Sequence, residues 1–268
     1  MNERQLDIVL EYLDINNEIN LLINFDDGIL EHFDFIGENS TDKLISITKN
    51  IISKFIDFLN RFINFLRVKA LLLLTKNFQR IRKLIKRIKS IKIKESVIPD
   101  EYYLKGAINV PSINLLEKAV DCMIECVKYR KDVNNRNVYD KILNGNISKV
   151  SQFATDINEI DVELIIVQDI LNDEEKYSGK EEAILNKLSI FLKKIVAVRD
   201  KSKSDFLAAD ASSSKDNKKE NKKLEKLMEY YNLSSIEYKN LINFCVDVVK
   251  NVFLYQYRID FILNKFNK

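Results

Sequence analysis

Glycine and proline are scarce in this chain, five and two in 268 residues, where average usage is ~7% and ~5%. Turns and β-hairpins draw on both, so their scarcity argues for few, long elements, in practice long helices. Neither a GxxxxGK[ST] nor a GxGxxG spacing occurs, which sets aside the glycine-loop nucleotide enzymes. Tryptophan is absent and histidine occurs once, as His32, beside Glu31, Phe33 and Asp34. Ser/His/Asp and Cys/His catalysis need a positioned base, and nothing near His32 suggests one. Cys122, Cys126 and Cys245 are too few, and odd in number, for a disulfide framework. A reducing interior is the simpler reading. Cys122 and Cys126 stand at i, i+4, but zinc needs four ligands and only Cys245 and His32 would remain. The cysteines read as small buried hydrophobes; neither metal nor cofactor is expected, and no enzyme activity.

A long apolar run is also missing. The longest is Ala70–Leu74, whereas a spanning helix takes ~20 predominantly apolar residues. The opening MNERQLDIVLEYLD is acidic, whereas a secretory signal opens basic, so no secretion signal is expected. Hydrophobic residues still make up 46% of the chain, enough for a substantial core.

Charge is what the chain has, and it is unevenly placed. Residues 1–42 hold eleven acids and one base, Arg4; residues 43–94 hold fifteen bases and one acid, Asp57. The remainder is near balance, so a net +3 conceals segments of −10 and +14. The pattern points to an anionic partner for the basic segment, or to the acidic segment shielding it.

Residues 3–35 carry Leu6, Val9, Leu10, Leu13, Ile19 and Leu22 at helical spacing among carboxylates. Gly37–Asp42 reads as a turn into a helix N-cap. From Thr41 to about Lys94 a helical pattern runs with Ile51, Phe55, Phe58, Leu59, Phe62 and Leu66 on one face, and later Phe78, Ile81, Leu84, Ile85 and Ile88. A break near Leu74-Thr75 would make it two helices. Pro99 and Pro111 bracket a non-helical connector near 95–111. Further helices are expected at about 112–133, 138–172, 180–208 and 219–267, with breaks at Gly145 and Gly179. The polar stretch 201–223 reads as a flexible loop. The expected fold is all-α: long amphipathic helices in an irregular bundle. Its parts are an acidic leader (1–38), a basic long helix or helix pair (39–98) and a helical body (112–268).

The candidate anion-binding residues are Lys76, Arg80, Arg82, Lys83, Lys86, Arg87 and Lys89. A stripe of this kind binds phosphates by counterion release without reading sequence; the alternative is a solvated lysine-rich face paired with the acidic leader. The same helix, 41–94, has the form of one that lies on an anionic membrane, or simply of one that packs its apolar side on a core. The adjacent carboxylates Asp26-Asp27, Glu174-Glu175 and Glu181-Glu182 diverge on a helix and read as solvated surface.

An acidic helical leader, then a Lys/Ile-rich amphipathic helix, then a helical body resembles the internal head proteins (prohead core or cargo type) of large tailed bacteriophages. The resemblance covers about residues 1–94. It implies a leader removed by a prohead protease that cuts after Glu in a Leu/Ile-x-Glu context, and Ile36-Gly37-Glu38 fits at the charge boundary. It also implies a structural protein of the virion interior or infected cytoplasm. Its partners would be other structural proteins or its own copies, with non-specific contact to DNA. Cutting after Glu38 would release about −9 of charge and bare the basic helix.

Overall fold

A computed structural model describes residues 41–92, 107–128, 162–211 and 218–265. The acidic leader with His32 and Ile36–Glu38, most of the connector, and the segment around Gly145 lie outside them. The described residues form a helical bundle with one short strand pair.

Helix α1 (Thr41–Asn64) continues through a π-helical stretch, Phe65–Leu71, into α2 (Leu72–Lys92). Of the two alternatives, one long helix or a pair broken near Leu74-Thr75, the structure has the first: the helix changes pitch a turn earlier and carries on. The buried set gives the reason. At 100° per residue, Leu44, Thr48, Ile51, Phe55, Leu59 and Phe62 centre on one direction; Ala70, Leu74, Asn77, Ile81, Leu84 and Ile88 centre roughly 60° away. That offset is more than half of one residue's rotation. A π-turn takes up one extra residue, so the stretch keeps both halves facing the same core.

Strand β1 (Ala107–Pro111) leads into α3 (Ile113–Lys128). Ser112 sits at the junction: its carbonyl accepts from the Leu116 amide at 3.0 Å, the start of the helical ladder. β1 pairs antiparallel with β2 (Val162–Ile166), Asn109 opposite Leu164. Short helix α4 (Val167–Asn172) follows, then the 37-residue α5 (Glu174–Asp210) and the 48-residue α6 (Lys218–Lys265).

Three sequence expectations need correction. The helix read over 138–172 is a strand at 162–166, where β-branched Val162, Ile165 and Ile166 suit a pleated ladder. The loop read over 201–223 is helical up to Asp210 and again from Lys218; buried Ser202, Ala209 and Leu224 tie both pieces to the core. Gly179 does not break α5, which begins at Glu174.

The described helices share one hydrophobic core. Phe55 meets Tyr231 and Tyr238 edge-on with centroids at 5.4 and 5.5 Å, and Arg80 meets Asp260 further along; the long first helix therefore runs parallel to α6. Lys49 pairs with Asp210 and Phe62 packs on Phe191, so α5 runs antiparallel to both. On its other side α5 takes α3, clamped by Lys187, whose ammonium bonds Glu117 at 2.8 Å and Asp121 at 2.7 Å. Burial alone would lower the Lys187 pKa; the two carboxylates outweigh it and hold the group above its ordinary value.

Gly179 stands in a helix, and a Cβ there would meet nothing within 4 Å. Gly179→Ala should therefore stabilise the fold by about 0.5–1 kcal/mol through lower unfolded-state entropy and better helix propensity. A thermal melt showing an unchanged or lower Tm would contradict this.

Candidate anion-docking face

The sequence of α2, LLLTKNFQRIRKLIKRIKSIK, alternates core and charge at helical spacing. Leu74, Asn77, Phe78, Ile81, Leu84, Ile85 and Ile88 are buried. The opposite side exposes Lys76, Gln79, Lys83, Lys86, Arg87 and Ser90. Two large apolar side chains continue this outer side toward the π-stretch, Val68 and Leu72, 46% and 51% exposed.

The seven expected anion-binding residues do not share one role. Lys76, Lys83, Lys86 and Arg87 point outward and have no ion-pair partner among the described residues. Arg80 is taken up: its Nε donates to Asp260 Oδ1 at 3.0 Å, and the Asp260 side chain is only 3% exposed. Asp260 Oδ2 also accepts from Asn264 Nδ2 at 3.0 Å. Arg82 lies half-buried over the Phe78 ring, 5.5 Å from its centroid. Lys89 is half-buried and engaged in a further contact. The face thus reduces to four side chains, with Arg80 and Arg82 turned toward the fold.

The apolar side of helix 41–92, which the membrane-surface reading would need, is packed against α5 and α6. Among the described residues no helix is long and apolar enough to cross a membrane. No group of three or more His, Cys, Asp or Glu among them is arranged to hold a metal ion. The three cysteines are buried with free thiols; burial, then the nearby Asp247, pushes the Cys245 thiol up.

A polar cluster inside the bundle was not anticipated. The pair Glu181-Glu182, expected to be solvated, divides: Glu182 is exposed, while Glu181 is buried. Its carboxyl accepts from Gln256 Nε2. The same amide nitrogen donates to the Leu74 carbonyl at 2.9 Å, just beyond the π-stretch. Gln256 Oε1 is buried with no hydrogen-bond partner among the described residues. Burial pushes the Glu181 pKa up to about 8, against a smaller lowering by the Gln256 bond. A second, half-buried bond runs from the Tyr231 hydroxyl to Asp205 Oδ2 at 2.8 Å. Nothing in sequence marks Glu181 as interior except its phase with Ile184 and Leu188, which its charge overrides on a first reading. Through Gln256 it ties α5 to α6 and to the Leu74 carbonyl of α2.

Comparison with protein-family models, with curated proteins and with solved structures returns no match for this chain.

Two stability predictions follow from these interior groups. Glu181 is held protonated in the fold and ionises near pH 4.5 when unfolded. The folded state therefore binds the extra proton between those values. Stability is greatest below about pH 4.5, falls as pH rises to about 8, and is flat above. Glu181→Gln should remove that slope, raising Tm at pH 8.5 by roughly 5–10 °C while changing little near pH 4.5; parallel Tm–pH curves would contradict it. Arg80→Ala removes the Arg80 bond from buried Asp260 and should cost about 2 kcal/mol in urea unfolding, while Lys83→Ala should stay within about 0.5 kcal/mol. Equal costs would mean that the two bases are equivalent after all.

Proposed function

We propose that this chain is a non-enzymatic interaction protein that packs within an assembly and turns the outer face of α2 toward an anionic polymer. DNA in a phage head interior is the first candidate. The observation that carries the reading is the set of four outward bases on one face, Lys76, Lys83, Lys86 and Arg87, none answered by a carboxylate among the described residues. Such a face attracts phosphates through released counterions and carries no base-reading geometry. The phage-head setting rests on the order of acidic leader, basic helix and helical body, with Ile36-Gly37-Glu38 at the charge boundary. The membrane-surface alternative draws on the apolar side of the same helix, and using that side would mean opening the core.

Binding of the full chain to non-specific duplex DNA, titrated in salt with anionic vesicles in parallel, tests the reading. Changing Lys76, Lys83, Lys86 and Arg87 together to Gln should lower the slope of log affinity against log salt by about 3–4. A variant that binds as well as the parent, or binding to vesicles alone, would sink the proposal.

A further inference from the structure

The outer row of α2 has a spacing that recurs elsewhere in the chain. Lys76, Arg80, Lys83 and Arg87 follow one another at intervals of 4, 3 and 4, and at 100° per residue fall within an arc of about 60°, with Arg80 at the edge nearest the core and bonded to Asp260. Asp7, Glu11, Asp14 and Glu18 follow the same 4, 3, 4 intervals, with Glu3 four residues earlier, and on a helix all five fall within about 80°. We infer that residues 3–22 dock antiparallel along the outer face of α2, acid row against base row, so that the leader occupies the surface offered to polyanions.

The intervals read the same in either direction, so charge alone does not set the orientation. Two observations do. With Glu18 opposite Lys76 and Asp7 opposite Arg87, Leu22 falls four residues beyond Glu18 and meets exposed Leu72, four residues before Lys76. The parallel register sets Glu3 against Leu72 instead. Reach gives the same answer. From Leu72 back to Thr41 the helix covers about 46 Å, and residues 23–40 can cover it if the leader's helix ends before Gly28, with about 8 Å of helix and up to about 45 Å of extended chain. The parallel register would ask residues 19–40, about 75 Å at most, to return some 69 Å from Arg87, leaving almost no slack.

In the antiparallel register Glu18 meets Lys76, Glu11 meets Lys83 and Asp7 meets Arg87, with Lys86 alongside. Asp14 faces Arg80, which keeps its bond to Asp260. Each pair is solvent-exposed, individually weak and screened by salt. Docking is therefore reversible, and a dense row of phosphates can displace it. The inference rests on the reading of this face as an anion-docking surface.

Zero-length carbodiimide cross-linking of the full chain, mapped by mass spectrometry on the monomer fraction, tests the register. Links from Glu11 or Asp14 to Lys83, and from Glu18 to Lys76, should form at low salt and fall at least fivefold at 0.5 M salt. Arg87→Glu should cut the Lys83 links at least threefold, and adding Asp7→Lys should restore them; adding Glu18→Lys instead should not. Absence of these links, links confined to a dimer band, links insensitive to Arg87→Glu, or rescue by Glu18→Lys would each overturn the inference. No nucleic acid enters these readouts. DNA titration of the chain carrying Asp7→Asn, Glu11→Gln, Asp14→Asn and Glu18→Gln separates the two ideas. If neither this chain nor the parent binds DNA, the polyanion reading fails while the cross-links stand or fall by themselves.

Discussion

The constraint on which the bundle depends is that one helix, from Thr41 to Lys92, must keep an apolar side buried along its whole length. An α-helix whose apolar residues drift out of phase turns that side to solvent after a few turns. Here the drift between the first and second halves is roughly 60°, and the π-helical Phe65–Leu71 stretch absorbs it. Without that adjustment either Phe55, Leu59 and Phe62 or Ile81, Leu84 and Ile88 would leave the core. Because both sets stay inside, α5 and α6 can lie straight against the helix, and Lys76, Lys83 and Arg87 align on the far side. The outward charge row is thus a consequence of how the inward apolar row is kept continuous.

The interior is not purely apolar, and one of its polar clusters sits near the pitch change. Gln256 reaches from α6 to the Leu74 carbonyl and to Glu181 on α5, joining three helices at one level. A neutral, hydrogen-bonded carboxyl costs far less in a core than a charged one, and the raised pKa of Glu181 reflects that preference. Asp260 follows the other route: it is answered by Arg80, whose side chain is 26% exposed and keeps contact with water. Breaking either arrangement takes a bond from a buried group, which costs more than its formation gains. Such groups favour one alignment of α2, α5 and α6 over a slipped one in which apolar residues would still be covered.

Much of this was legible in the sequence, and the failures have physical causes. Few glycines and prolines, with Ile51, Phe55, Phe58 and Phe62 at helical spacing, gave the long first helix and the all-helical class. The basic face of α2 was legible as a segment but not residue by residue. Arg80 and Arg82 differ from Lys76 and Lys83 only in what α6 and Phe78 present to them, and that is tertiary information. Periodicity over a window averages across a slip in phase, so the change at Phe65–Leu71 left one long helix and a helix pair broken near Leu74-Thr75 as open alternatives. Polar composition at 201–210 suggested a loop, but Ser202 and Ala209 are the small residues that face the core there, and a small residue at a close contact carries little hydropathy signal. Glu181 was misread because charge is the strongest surface indicator available.

The division between the two sides of helix 41–92 also limits what can bind. A partner that needed the apolar side would have to compete with α5 and α6 for contacts such as Phe55 with Tyr231 and Phe62 with Phe191. It would therefore oppose the cooperative stability of the bundle. A partner that needs only the outer side competes with water and ions. Its attraction is set by charge density within a Debye length of about 8 Å at physiological salt. Val68 and Leu72 add a small apolar anchor at one end of that row, but the rest is long aliphatic stems ending in charge, which tolerate many anionic shapes. Selectivity on such a surface comes from spacing and from what else competes for it, and so from the acids that this chain itself carries at the same intervals.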